Sequence, residues 1–118
     1  MDFNVRVEKN CLIVRVNGEI DHHSAAEIKD VIVKEYSANT VRNIIFDFSE
    51  LTFMDSAGIG MLIGRYKQVC VNNGCVIAIG IKPPIERIFG LSGLDKIIKR
   101  CDNVEEAFDS LNIKREVI

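Results

Sequence analysis

The chain has 118 residues, 47% of them hydrophobic and 27% charged, and a net charge of −2. That length suits one domain with a real core, and the composition is that of an ordinary soluble globular protein. The charge balance argues against nucleic-acid binding, because no basic stretch could neutralise a row of phosphates. No apolar run approaches the ~20 residues of a membrane helix, and Met1-Asp2-Phe3-Asn4 carries neither the basic nor the apolar region of a signal peptide.

Phe3, Val5 and Val7 recur with period two, as do Leu12, Val14 and Val16, with Ile13 and Arg15 interleaved. With Glu8-Lys9-Asn10 between them they predict a hairpin of two strands, broken by Gly18. A helix follows. Ser24-Ala25-Ala26-Glu27 fits a capping box with Ser24 at the N-cap. Ala25, Ile28, Ile32 and Tyr36 form its apolar stripe, and Ser37-Ala38-Asn39-Thr40 ends it. Residues 43–48 are almost continuously apolar, which predicts a strand of the parallel type, buried on both faces.

The second helix spans about 56–71. Ile59, Leu62, Ile63, Tyr66, Val69 and Cys70 form its core side, and Asn72-Asn73-Gly74 stops it. Residues 75–79 predict another buried strand. Pro83 and Pro84 introduce a short helix over 85–89, and Ser92-Gly93 makes a turn. Residues 96–99 predict an edge strand guarded by lysines. A last helix runs from Asn103 through Leu111, followed by a polar, frayed tail. The predicted order is β-β-α-β-α-β-α-β-α, an α/β arrangement with right-handed crossovers. No internal repeat or linker divides it, so residues 1–118 read as one domain with an ordered core of about 3–112.

The four cysteines contain no C-x-x-C pair. Cys11 and Cys75 fall in predicted strands and Cys70 on a helix's apolar face. Two disulfides are possible in number, but buried thiols in a cytosolic chain are the preferred reading. The spacing does not suit zinc, and the two histidines, His22 and His23, are adjacent.

The run Phe53-Met54-Asp55-Ser56-Ala57-Gly58-Ile59-Gly60 is the most informative segment. It places a hydroxyl at a helix's first turn among small residues. Each glycine in a helix interior costs about 1 kcal/mol relative to alanine. The cluster Gly58, Gly60 and Gly64 therefore predicts a backbone that another molecule approaches closely, read here as another protein. Either Asp55 or Ser56 can serve simply as an N-cap. The functional reading makes Ser56 a switch, because a helix N-terminus tolerates a phosphoryl group. Ala57, Gly60, Met61, Gly64 and Gln68 lie opposite the core stripe, which makes Met61 an exposed docking residue unless it packs under a neighbouring loop. Asp21, just after a strand, either pairs with a basic residue of a partner or caps the helix itself. The predicted contact set is Asp21, Met54, Asp55, Ser56, Ala57, Gly58, Ile59, Gly60, Met61 and Gly64.

Catalysis is not expected. Met54 stands where a G-x-S-x-G elbow needs its first glycine, and adjacent Asp55 and Ser56 cannot orient a distant histidine. No phosphate loop or dinucleotide fingerprint is present. No catalytic residue, metal site or cofactor is assigned.

At these residues the chain resembles the bacterial anti-anti-sigma factors of the STAS domain family. Asp55-Ser56-Ala57-Gly58-Ile59-Gly60 matches the signature around their phosphorylated serine. Gly18-Glu19-Ile20-Asp21-His22-His23, Gly64-Arg65-Tyr66-Lys67-Gln68, and Ser92-Gly93-Leu94 followed by Lys96-Ile97-Ile98 resemble the sporulation branch. Ala57 departs from that branch, which usually has a second serine there, so Ser56 is left as the acceptor. The resemblance implies a mixed sheet of four to five strands with about four helices. It implies a cytoplasmic protein, monomeric when alone, that binds an ATP- or ADP-bound anti-sigma factor which is also a serine kinase. Unmodified protein would free the sigma factor; phosphorylation at Ser56 would block binding, and a PP2C-like serine phosphatase would restore it. Asp21 would lie at the kinase interface. The alternative is a STAS domain serving as a sensory scaffold or a nucleotide-binding module.

Overall fold

Successive side chains of a strand point to opposite faces, so a strand without polar alternation needs cover on both sides. The computed structural model, which describes the backbone of residues 2–116 and the side chains of residues 2–111, supplies that cover. Its strands are β1 (Asp2–Glu8), β2 (Cys11–Ile20), β3 (Asn43–Asp47), β4 (Leu51–Met54), β5 (Val76–Ile79) and β6 (Lys99–Cys101). Its helices are α1 (His22–Ala38), α2 (Ser56–Cys70), α3 (Pro83–Ser92) and α4 (Val104–Glu116). The six strands form one sheet in the order β1-β2-β3-β5-β6, with β4 paired to β2 beside β3. β1 runs antiparallel to β2, and the remaining pairings are parallel.

One face of this sheet presents Leu12, Val14, Ile44, Phe46, Val76 and Ala78 to the stripes of α1, α2 and α3. The other presents Cys11, Ile13, Ile45, Ile77 and Ile79 to Ala107, Phe108 and Leu111 of α4. The strands predicted to be buried on both faces are so because helices lie on both. The predicted α1 stripe is also buried: Ala25, Ile28, Ile32 and Tyr36 all face the core.

Several elements differ from the sequence-based expectation. β4 was not predicted. It has only four residues, with the burial pattern buried-exposed-exposed-buried, too short to show a period. Gly18 does not end β2; it sits inside the strand at φ +87°, where the register slips by a β-bulge and the pairing passes from β3 to β4. The last strand begins at Lys99 rather than Lys96, because Leu94–Lys96 form a 3-10 turn and Ile98 is buried ahead of the strand. α3 runs through Ser92, beyond the predicted 85–89. The backbone of α4 continues to Glu116, past Leu111; the side chains of the tail lie outside the described residues.

α2 is rotated from its expected orientation. Its buried residues are Gly58, Met61, Leu62, Arg65 and Val69. Ile59, Ile63 and Tyr66 are half-buried against the core, whereas Cys70 is exposed. Met61 is only 6% exposed, contrary to the expected docking residue. The reason is α1, which packs beside α2 and covers part of the side that a helix wheel leaves free.

Gly58 sets how closely α2 lies on the sheet. A Cβ there would stand 3.1 Å from Ile20 Cγ2, 3.1 Å from Met54 Cβ and 3.2 Å from Met54 Sδ. At Gly60 and Gly64 a Cβ would meet nothing within 4 Å. These contrasts yield a test by urea or thermal denaturation. Gly60→Ala will stabilise the fold by about 0.5–1 kcal/mol through helix propensity. Gly58→Ala will be less stable than Gly60→Ala by about 1–3 kcal/mol, the cost of overpacking.

Candidate functional site

Two strands end together on one side of the sheet. Ile20, the last residue of β2, is the ladder partner of Met54, the last residue of β4. The Asp55 amide donates to the Ile20 carbonyl at 3.1 Å. The residue that follows in each strand is an aspartate, and each aspartate caps the next helix: Asp21 caps α1 and Asp55 caps α2. One strand pairing thus opens two helices side by side. The carboxyl ends of strands are where α/β sheets gather their functional groups.

The α1 cap is reciprocal. Ser24 N donates to Asp21 Oδ1 at 2.9 Å, and the Asp21 amide donates to Ser24 Oγ at 2.7 Å. The box is therefore Asp21 with Ser24, three residues ahead of the expected Ser24 with Glu27. The end of β2 decides between them, because a chain held to Met54 through Ile20 is free to turn at Asp21. The Ser24 amide, and after it the Ser24 hydroxyl, holds the exposed Asp21 carboxyl below the usual carboxylate range. A depressed folded-state pKa favours the ionised form. Its stabilising effect is present above the ordinary carboxylate range and fades as pH falls through the folded value.

At α2, Asp55 Oδ1 accepts from Ala57 N at 2.9 Å and from Gly58 N at 3.3 Å. Ile59 N is taken by the Asp55 carbonyl. The sequence left the cap open between Asp55 and Ser56; Asp55 fills it. Ser56 becomes the first residue of the helix and is exposed.

The predicted contact residues separate into two sets. Asp21, Ser56 and Gly60 are exposed, and Asp55, Ala57, Ile59 and Gly64 are half-buried. Met54, Gly58 and Met61 are buried and support the site from below.

Beside this strip runs a groove of about 390 Å³ between α1 and α2. Its walls include Ala25, Ala26, Gly60 and Gly64, with His22, Lys29 and Arg65 contributing the polar groups. Arg65 did not stand out in the sequence except within a resembling segment. The available signal was its spacing: it follows Met61 by four residues, on the side of the helix opened by Gly60 and Gly64. A larger hollow of about 620 Å³ lies near the other end of α1, around Tyr36 and Arg42, and contains none of the predicted site residues. There the Tyr36 hydroxyl donates to the Arg42 carbonyl and accepts from Asn72. Among the described residues no group of three or more His, Cys, Asp or Glu is placed to hold a metal ion. None of the described helices is long and apolar enough to cross a membrane.

The sequence matches the STAS domain family over residues 2–107. It is 31% identical over 115 residues to the anti-sigma F factor antagonist of Paenibacillus polymyxa, covering 96% of this chain and 98% of that protein. The fold is similar to the anti-sigma factor antagonist SpoIIAA in its unphosphorylated form, with a TM-score of 0.76, 28% identity, and coverage of 94% of this chain and 98% of that one. It is also similar to the Bacillus cell fate determinant SpoIIAA in the phosphorylated form, with a TM-score of 0.73, 31% identity, and coverage of 93% and 99%.

The Asp55 cap has a measurable weight. Asp55→Ala will lower stability by about 1 kcal/mol in urea denaturation, and Asp55→Asn will restore most of it, since asparagine caps about as well.

Proposed function

The chain belongs to the STAS domain family, and from that premise we propose that it is an anti-sigma factor antagonist switched by phosphorylation of Ser56. The observation that carries this reading is the exposed Ser56 hydroxyl at the first residue of α2, beside the Asp55 cap. The curated relative named an anti-sigma F factor antagonist supports the role. The existence of SpoIIAA structures in both unphosphorylated and phosphorylated forms supports the switch.

In this reading the unmodified protein binds, in the cytoplasm, an anti-sigma factor that is also a serine kinase, and the sigma factor is released. The contact strip is Asp21, Asp55, Ser56, Ala57 and the open backbone at Gly60 and Gly64. Phosphorylation adds about 1.5–2 negative charges at Ser56. The amides of Ala57 and Gly58 are occupied by Asp55, so the phosphoryl group gains no ready partner there and stands next to a carboxylate. It therefore faces outward, and docking would have to desolvate it. An unpaired ion in a desolvated contact costs several kcal/mol. The fold itself is untouched, because the helix is capped without the serine. A serine phosphatase returns the protein to the binding form.

Incubation with the cognate kinase and ATP, followed by mass mapping, will place one phosphoryl group on Ser56. Ser56→Ala will bind the kinase and accept no phosphate. Ser56→Asp and the phosphorylated protein will bind about 100-fold more weakly by calorimetry, matching about 3 kcal/mol. Modification of another residue, or tight binding by the phosphorylated form, would defeat the proposal.

Asp21→Asn separates cap from contact. Asparagine keeps the helix cap, so the melting temperature will stay close to that of the wild type. Loss of the charge will weaken kinase binding by about tenfold. Unchanged affinity would remove Asp21 from the interface.

A further inference from the structure

Nη1 of Arg65 is the one buried side-chain nitrogen or oxygen among the described residues that lacks a hydrogen-bond partner. Arg65 is 7% exposed. Its Nε donates to Gln68 Oε1 at 2.9 Å, and burial lowers the guanidinium pKa from its ordinary value. An arginine nevertheless keeps its charge, and its fork of donors seeks acceptors. A buried cation left partly unsatisfied opposes folding. Its place here makes sense if an acceptor arrives from outside.

The surroundings indicate what arrives. Arg65 lines the groove between α1 and α2, together with Lys29 and His22, and no acidic residue lines it. Gly60 and Gly64 leave space where side chains would otherwise stand. Four of the N-terminal amides of these two helices are already bound: Ser24 N and Ala25 N by Asp21, and Ala57 N and Gly58 N by Asp55. A phosphate usually relies on such amides. A carboxylate on a short aliphatic stem needs only the guanidinium and small apolar walls, and Arg pairs with it in two-pronged geometry.

We propose that this groove receives an aspartate or glutamate side chain of the protein partner, with Arg65 as its anchoring donor. The inference rests on the antagonist reading above and assigns a second attachment point to the same partner, in the groove that adjoins the Ser56 strip.

Calorimetry with the purified anti-sigma factor kinase of the same organism tests it, using the full chain and two variants. Arg65→Met keeps the side chain's length without the charge; Ala26→Leu fills the groove from the α1 side and leaves Arg65 and the Ser56 contact strip in place. Arg65→Met is expected to melt at or above the wild-type temperature and the groove-filling variant close to it, and both to bind about 10–100-fold more weakly, the loss set by one charged hydrogen bond. Wild-type affinity in Arg65→Met overturns the proposal while leaving the Ser56 reading intact. Should Arg65→Met melt early, Ala26→Leu decides: weakened binding supports the proposal and wild-type affinity overturns it. Absence of binding by the wild type overturns both readings. Heat from inorganic phosphate or ATP alone that vanishes in Arg65→Met would make the occupant a phosphate and overturn the carboxylate assignment.

Discussion

The pairing of Ile20 with Met54 governs the end of this molecule where the candidate site lies. It is a single ladder position, locked by the Asp55 amide on the Ile20 carbonyl. Because the two strands stop in register, the residues that leave them stop in register too. Asp21 and Asp55 then start α1 and α2 as neighbours. Gly58 lets the first turn of α2 settle on the same two side chains. A Cβ at that point would press on a β-branched isoleucine and on the root of Met54, neither of which moves cheaply. Strand pairing, capping and helix packing thus converge on one small region, which explains how a serine at the first residue of α2 is held on a packed support.

That rigidity has an electrostatic counterpart. Helix N-termini attract anions, and a phosphoserine at such a position would ordinarily find amide donors waiting. Here Asp55 already occupies the amides of Ala57 and Gly58. In the proposed switch, a phosphoryl group on Ser56 would be a second negative charge beside the one this cap already holds. A modification added beside a satisfied cap changes the surface without loosening the helix. This suits control of association better than control of folding, since stability and binding are altered by different groups.

The α1–α2 contact shows a related separation. Small residues allow the helices to lie together yet leave a groove, and Nη1 of the buried Arg65 guanidinium has no hydrogen-bond partner. Natural proteins violate local packing rules mainly where another interaction compensates. Met61, once expected at the surface, is part of the same arrangement: it seals the groove from the core side.

Much of the architecture was legible in the residues alone. β3 and β5 announced themselves by apolar runs, since burial on two faces removes polar alternation, β2 by its period-two pattern, and α1 by a stripe matched to its period. The serine at a helix's first turn was legible because short polar residues followed by helix formers leave few other solutions. Local pattern could not reveal β4, whose four residues become a strand only because the far half of β2 offers an unpaired edge beyond the Gly18 bulge. Nor could it choose between two overlapping capping boxes, Asp21 with Ser24 or Ser24 with Glu27. The choice belongs to the position at which β2 ends, and that is fixed by a partner strand more than thirty residues away. The burial of Met61 and Arg65 likewise follows from α1 lying against α2. The sequence by itself determined which segments form strands and helices, because propensity and periodicity are local; tertiary structure alone decided which sides of them remain open, because that depends on what packs alongside.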